Sequence, residues 1–166
     1  MIDSRSILMD EFDVSHETFL RLLHYHDLLI KWQRRLNLIS SSTVTEIWSR
    51  HILDCAQICR FLPKKSCLIL DVGTGAGLPG VIISILTDHR VHLVESDYRK
   101  CAFLRTVLSR VKSTATIHEK RLENMENMGV DIITARAFAP IPKLLKMTAK
   151  QHHPKLKFLL LKGRDV

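Results

Sequence analysis

The sequence predicts an α/β fold, a mostly parallel sheet with helices on both faces, preceded by a helical cap. Three observations carry that expectation. From Cys67 onward short apolar runs alternate with amphipathic segments, the pattern of βαβ units. A glycine-rich stretch, LILDVGTGAGLPG at 68–80, begins with the first of those runs. The first 62 residues instead read as helical, with apolar residues at spacings of three and four.

In the cap, Leu22, Tyr25, Leu29, Trp32 and Leu36 fall on one helix face. Ser15 is placed to cap its start, and Asn37 to close it in the left-handed conformation. After the aperiodic LISSS, an ordered loop or turn, TVTE at 43–46 reads as a capping box. It opens a second helix bearing Ile47, Ile52, Leu53, Cys59 and Leu62, with Pro63 after its end. The Pro63–Ser66 stretch separates the cap, 1–62, from the sheet region, 63–166, and the two are expected to pack as one domain. CLILDV, RVHLVE, TATIHE, DIITA and LKFLLLKG are the expected strands. VIISIL behind Pro79, RKCAFLRTVLSRV and IPKLLKMTAK are the helices between them. Right-handed crossovers then leave few topologies, and a ligand belongs outside the carboxyl ends of the strands, beside the glycine loop.

Composition narrows the class. The chain has 166 residues, 46% hydrophobic and 25% charged, which fits one globular domain. No apolar run is long enough to span a membrane, and the acidic start MIDSRSILMDEFD has no secretory h-region. The four cysteines form no CxxC pair, so reduced thiols in a cytoplasmic protein are expected. His51, Cys55 and Cys59 share a helical stripe but have no fourth partner at ligand spacing, and no metal site is expected. The net charge of +8 favours a polyanionic partner where basic residues gather near the loop.

Read literally, Gly75 to Gly80 satisfies GxGxxG, and Glu95 follows about twenty residues later, so an NAD-dependent oxidoreductase is one reading. Asp71 at the strand end would repel a pyrophosphate, and Pro79 lacks a donor in the helix's first turn. A Walker loop is excluded because no Lys-Ser/Thr follows Gly80. S-adenosylmethionine meets both objections, being cationic and free of phosphate. In that register Gly73, Gly75 and Gly77 form the loop, Asp71 lies beside it, and Glu95 accepts from the ribose hydroxyls. The plain alternative is a glycine turn that only packs helix on strand.

Several segments occur in order: NLIS at 37–40, RHILD at 50–54, LDVGTGAGLPG at 70–80 and FLR at 103–105, then RLE at 121–123, ARAFAP at 135–140 and LLLKG at 159–163. Through these the chain resembles the bacterial 16S rRNA (guanine-N7) methyltransferases, the RsmG or glucose-inhibited division protein B family. The resemblance implies a Rossmann-like class I methyltransferase fold, S-adenosyl-L-methionine as cofactor, and the small ribosomal subunit as partner of a monomeric enzyme. It implies cofactor contacts at Gly73 and Leu78, adenine beside Leu122 and Glu123, and Arg136 in the cofactor pocket. Asn37, Arg50, His51 and Asp54 then become positioning candidates over the cofactor or the RNA. On spacing alone, Arg50 and Asp54 also read as an i, i+4 surface ion pair.

Guanine N7 carries an in-plane lone pair and no proton, so its attack on a methyl group needs no general base. Proximity and electrostatics are the expected sources of catalysis, and the sequence assigns no catalytic dyad. N7 lies in the inaccessible major groove of A-form RNA, so an irregular or extruded base is the expected substrate. Arg34, Arg35, Lys64, Lys65, Arg99, Lys100, Arg105 and Arg110 are the candidate phosphate contacts. The family pattern continues past LLLKG with a helix and two strands, whereas this sequence ends at Val166. Its fifth strand is therefore expected at a sheet edge, and an inactive RNA- or cofactor-binding remnant is the alternative reading.

Overall fold

The computed structural model describes residues 4–161. Its five strands are β1 (Leu68–Val72), β2 (Arg90–Glu95), β3 (Thr116–Glu119), β4 (Ile132–Arg136) and β5 (Lys157–Leu161). They form one sheet in the order β3-β2-β1-β4-β5, and every pair is parallel. Among the described residues β5 is an edge, as expected. The end of the LLLKG segment, Lys162 and Gly163, lies outside them.

The helices are α1 (Ser4–Glu11), α2 (His16–Gln33), a short α3 (Asp54–Ala56), α4 (Gly80–Leu86), α5 (Tyr98–Arg110) and α6 (Ile141–Met147). Adjacent residues of a strand point to opposite faces, and two cores follow from that alternation. Ile69, Val91, Leu93 and Ile132 pack with Leu22, Tyr25, Ile82 and Phe103 on one face. Leu70, Val72, Val94, Ile133 and Ala135 pack with Leu122, Val130 and Leu144 on the other. The first core therefore runs without a break from cap to sheet. α4 and α5 carry the chain outward from β1 to β3, and the chain then returns to β4 beside β1. The carboxyl ends of β1 and β4 thus flank the reversal where ligands settle in such sheets.

The cap departs from the sequence reading in two places. Ser15 caps α2 as expected, its side chain accepting from Thr18 N. The helix nevertheless ends at Gln33 with Arg34 as its cap, and Asn37 is absent from the residues with positive φ. The side chain of Gln33 explains the early stop. Its Oε1 accepts from Leu38 N and Ile39 N, and its Nε2 donates to Ile39 O at 2.8 Å, so the amide serves the next loop. The second departure concerns residues 41–61, where the sequence predicted one helix running from Thr43 to Leu62 after a loop ending at Ser42. They are a 3₁₀ turn (Ser41–Glu46), a π turn (Trp48–Leu53), α3 and a second 3₁₀ turn (Gln57–Phe61). Thr43 does not cap; its hydroxyl donates to Ser40 O at 2.9 Å. Pi turns of this kind concentrate at functional sites.

Candidate active site

The loop from Gly73 to Pro79 leaves β1 at the carboxyl edge. Gly73 and Gly75 have φ of +62° and +55°, a region that L side chains avoid. A Cβ on Gly73 would also overlap the Phe138 ring, which lies against the loop from the end of β4. Gly77 acts differently: its missing Cβ makes room for Val81 and Leu104, so it brings α4 and α5 close, and it lines neither of the two cavities that meet on the loop.

Two cavities meet on this loop. The sheet-side cavity, about 290 Å³, is bounded by Val94, Glu95, Leu122, Glu123, Phe138 and Met147. The cap-side cavity, about 620 Å³, is bounded by Asn37, Thr43, His51, Ala76, Leu78 and Arg136, with further residues of the 37–40 loop. Gly73, Gly75, Lys100 and Ala137 belong to both. Ala137, with φ of +49°, turns the chain so that Arg136 enters one cavity and Phe138 the other. The sheet-side cavity sets Val94, Leu122, Phe138 and Met147 beside Glu95 and Glu123, and Lys100, Lys120 and Arg121 also border it. Among the described residues no carboxylate lines the cap-side cavity.

Glu95 is held by backbone donors. Its Oε1 accepts from Ser96 N and Asp97 N at 2.7 and 2.8 Å, and its Oε2 from Gly75 N at 3.0 Å. This fixes the carboxylate at the end of β2 and ties it to the glycine loop.

Asp71 requires a correction. It was expected beside the cofactor, yet it is fully buried and lines neither cavity. Its carboxylate accepts from Thr74 Oγ1, from Thr134 Oγ1 at 2.7 Å and from Gly80 N at 3.0 Å. Burial raises it to about 6, against the opposing pull of those three hydrogen bonds. Asp71 thus binds the loop to β4 and occupies the first N–H of α4. That N–H is where a dinucleotide's pyrophosphate would dock, so the site opposes a phosphate by being filled, not by repulsion across a gap.

Of the positioning candidates, only Asn37 and His51 reach a cavity. Arg50 gives its backbone carbonyl to Arg136 Nη2 at 2.9 Å. Asp54 lines neither cavity, and no ion pair joins it to Arg50 among the described residues. The π turn explains this, because its i→i+5 bonding shifts residues four apart off a common face. Arg136 also points Nη1 at Cys55 Sγ, 3.6 Å away, so it joins the end of β4 to the cap.

His51 is 5% exposed. Its Nε2 lies 2.8 Å from Thr43 Oγ1, whose one proton is already given to Ser40 O. The imidazole proton therefore sits on Nε2, and Nδ1 is buried without a partner. Burial, reinforced by the Arg136 and Arg50 guanidiniums, pushes His51 down to about 4. The ring is neutral at physiological pH.

Sequence reasoning had not singled out Tyr25 as a site residue, nor Thr74 and Thr134 as the partners of Asp71, nor Phe138 and Met147 as cavity walls. Phe138 and Thr74 do stand inside the quoted ARAFAP and GTGAG segments. The contacts of Tyr25, Thr134 and Met147 join positions far apart in the chain, and no local signal marks them.

This arrangement is the Rossmann-like methyltransferase fold. A ribosomal protein L11 methylase from Lactobacillus delbrueckii superposes with a TM-score of 0.57 at 14% identity, over 67% of this chain and 58% of that one. A magnesium protoporphyrin IX methyltransferase from Synechocystis, solved with bound SAM, gives a TM-score of 0.55 at 15% identity, over 90% and 71%. Sequence then narrows the class. The family described as GidB, rRNA small subunit methyltransferase G, matches residues 19–166. Ribosomal RNA small subunit methyltransferase G of Paramagnetospirillum magneticum is 43% identical over 157 residues, covering 95% of this chain and 77% of the relative. The protein of the same name in Orientia tsutsugamushi is 40% identical over 93% and 77%. The chain belongs to this family.

Proposed function

We propose that this chain transfers the methyl group of S-adenosyl-L-methionine to N7 of a guanine in 16S ribosomal RNA. One observation carries the reading beyond family membership: two cavities meet on the glycine loop, one bordered by Glu95 and Glu123, the other by no carboxylate among the described residues. The sheet-side cavity fits an adenosine, with Leu122, Phe138 and Met147 as its apolar wall and Glu95 as acceptor for the ribose hydroxyls. The loop backbone at Gly73 and Gly75 leads into the cap-side cavity, where Leu78 and Arg136 flank the methionine end and the incoming base. When bound, the cofactor supplies an electrophilic methyl group on a cationic sulfur.

The protein's part is to bind, orient and exclude water. N7 needs no deprotonation, and the neutral His51, with its only proton committed to Thr43, is a wall of the cavity and not a base. Asn37 is placed to orient the base, and Arg136 to hold the cap over it. In this reading the cap (1–62) and the core (63–166) work as one unit, supported by the core they share. The protein acts as a monomer on small ribosomal subunits in the cytoplasm. No described helix is long and apolar enough to cross a membrane.

The deciding experiment incubates the protein with labelled S-adenosylmethionine and small subunits lacking the modification, then maps the label. Label at a guanine N7 is the expected result. Well-folded protein that binds S-adenosylhomocysteine and transfers nothing would establish the remnant instead. Exclusive binding of NADH in calorimetry would overturn the cofactor assignment.

A further inference from the structure

The tertiary structure sorts the basic residues that the sequence left equivalent. Arg99 is paired with Asp97 at 3.2 Å, Arg105 with Glu119, and Arg110 lies against His24. Lys64 and Lys65 precede β1, at the sheet edge opposite the cavities. Arg34, Arg35 and Lys100 remain, joined by Lys31, which the sequence did not single out. None of these four makes an ion pair among the described residues, and Lys31, Arg34 and Arg35 are exposed.

Three of them stand at the end of α2, and the fourth is near the start of α5. α2 and α5 run antiparallel: Arg21 Nε donates to Val111 O at 2.8 Å near one end, and Trp32 meets Phe103 edge-on, centroids 5.7 Å apart, near the other. The end of α2 therefore lies beside the start of α5, at the carboxyl edge of the sheet. Gln33 then clamps the following loop, whose residues 37–40 form a wall of the cap-side cavity. Lys100 lies where the two cavities meet. Lys31, Arg34 and Arg35 thus stand at the helix end that feeds the wall of the cap-side cavity, and among the described residues no carboxylate lines that cavity.

We propose that the ridge of Lys31, Arg34, Arg35 and Lys100 docks the single-stranded RNA segment that carries the target nucleotide. The proposal deepens the methyltransferase reading and rests on it. The phosphates of that segment run along the end of α2 and deliver the base over the 37–40 loop, while Lys100 meets the phosphate nearest the base. Contacts of this kind give affinity without sequence preference and are salt-dependent.

The test measures binding of a short guanine-containing RNA by fluorescence anisotropy at several salt concentrations, together with S-adenosylhomocysteine affinity by calorimetry. Arg34→Gln with Arg35→Gln should weaken RNA binding roughly tenfold at low salt and flatten the log–log salt slope by about 1.4, the share of two phosphate contacts. Cofactor-product affinity should not change. Lys155→Gln with Lys157→Gln, at the opposite sheet edge, should leave RNA binding intact. Equal RNA affinity and slope in the ridge variant and the wild type would overturn the proposal, as would a larger loss in the control variant. Wild-type protein that binds RNA through the ridge yet transfers no methyl group would sink the enzymatic reading while leaving the ridge standing.

Discussion

The phenol of Tyr25, fully buried in the cap, donates a 2.9 Å hydrogen bond to the carbonyl of Ala76 inside the glycine loop. The residues are 51 apart in sequence, and the bond fixes a loop peptide from outside the sheet. Tyr25→Phe keeps the ring and leaves the Ala76 carbonyl without that donor, at a cost of about 1–3 kcal/mol. If half of that falls on the cofactor-competent loop, affinity for S-adenosylhomocysteine drops roughly two- to tenfold. Calorimetry checks this; unchanged affinity with a lowered Tm would reduce Tyr25 to a packing residue.

Gly73 and Phe138 are coupled by contact. Gly73→Ala adds a left-handed alanine, costing about 1–2 kcal/mol, and also drives a methyl group into the Phe138 ring. Shrinking the ring with Phe138→Ala removes the second penalty and not the first. A double-mutant cycle on urea unfolding should therefore show the pair more stable than the sum of the singles by about 1 kcal/mol or more. Strict additivity would mean that the loop moves aside freely.

Asp71 makes stability depend on pH in an unusual direction. Its folded value, raised to about 6 by burial, exceeds the ordinary carboxylate value, so the folded state holds the proton more tightly than the unfolded chain. Its contribution is complete below about pH 4 and is lost as pH rises through 6. Measured against Asp71→Asn, the wild type should lose on the order of 2–3 kcal/mol between those pH values. A flat difference across that window would show that the three donors around the carboxylate cancel its burial.

His51 runs the other way. Lowered to about 4 by burial first and by the Arg136 and Arg50 guanidiniums next, it stays neutral in the folded state. The stability it contributes is complete above its ordinary value near 6.5 and is lost as pH falls toward 4. His51→Gln, which keeps a donor for Thr43, should remove that loss. It should also retain single-turnover methyl transfer within a few-fold, with no inflection near pH 6.5 in either protein. Abolished transfer with intact RNA and cofactor binding would make His51 a catalytic group.

The sequence alone determined the strand and helix order, the parallel sheet, the glycine loop and the place of Glu95, because these rest on local periodicity and on residues adjacent in the chain. RHILD and ARAFAP supplied the family for the same reason. The form of residues 41–61 was decided by tertiary contacts. His51 and Thr43 bond across a break in helical periodicity, and Arg136 reaches in from β4 to Arg50 O, which favours mixed turns over the helix that TVTE announces. Asp71 shows the same limit. Its position after a strand predicted a carboxylate at the ligand, but the facing of a strand residue depends on what packs against it. Here Thr134, 63 residues away, and Gly80 at the start of α4 draw the side chain inward. Net charge likewise indicated an anionic partner, while only the antiparallel seam of α2 and α5 could set Arg34 and Arg35, at the end of one helix, beside the start of the helix that carries Lys100 to the two cavities.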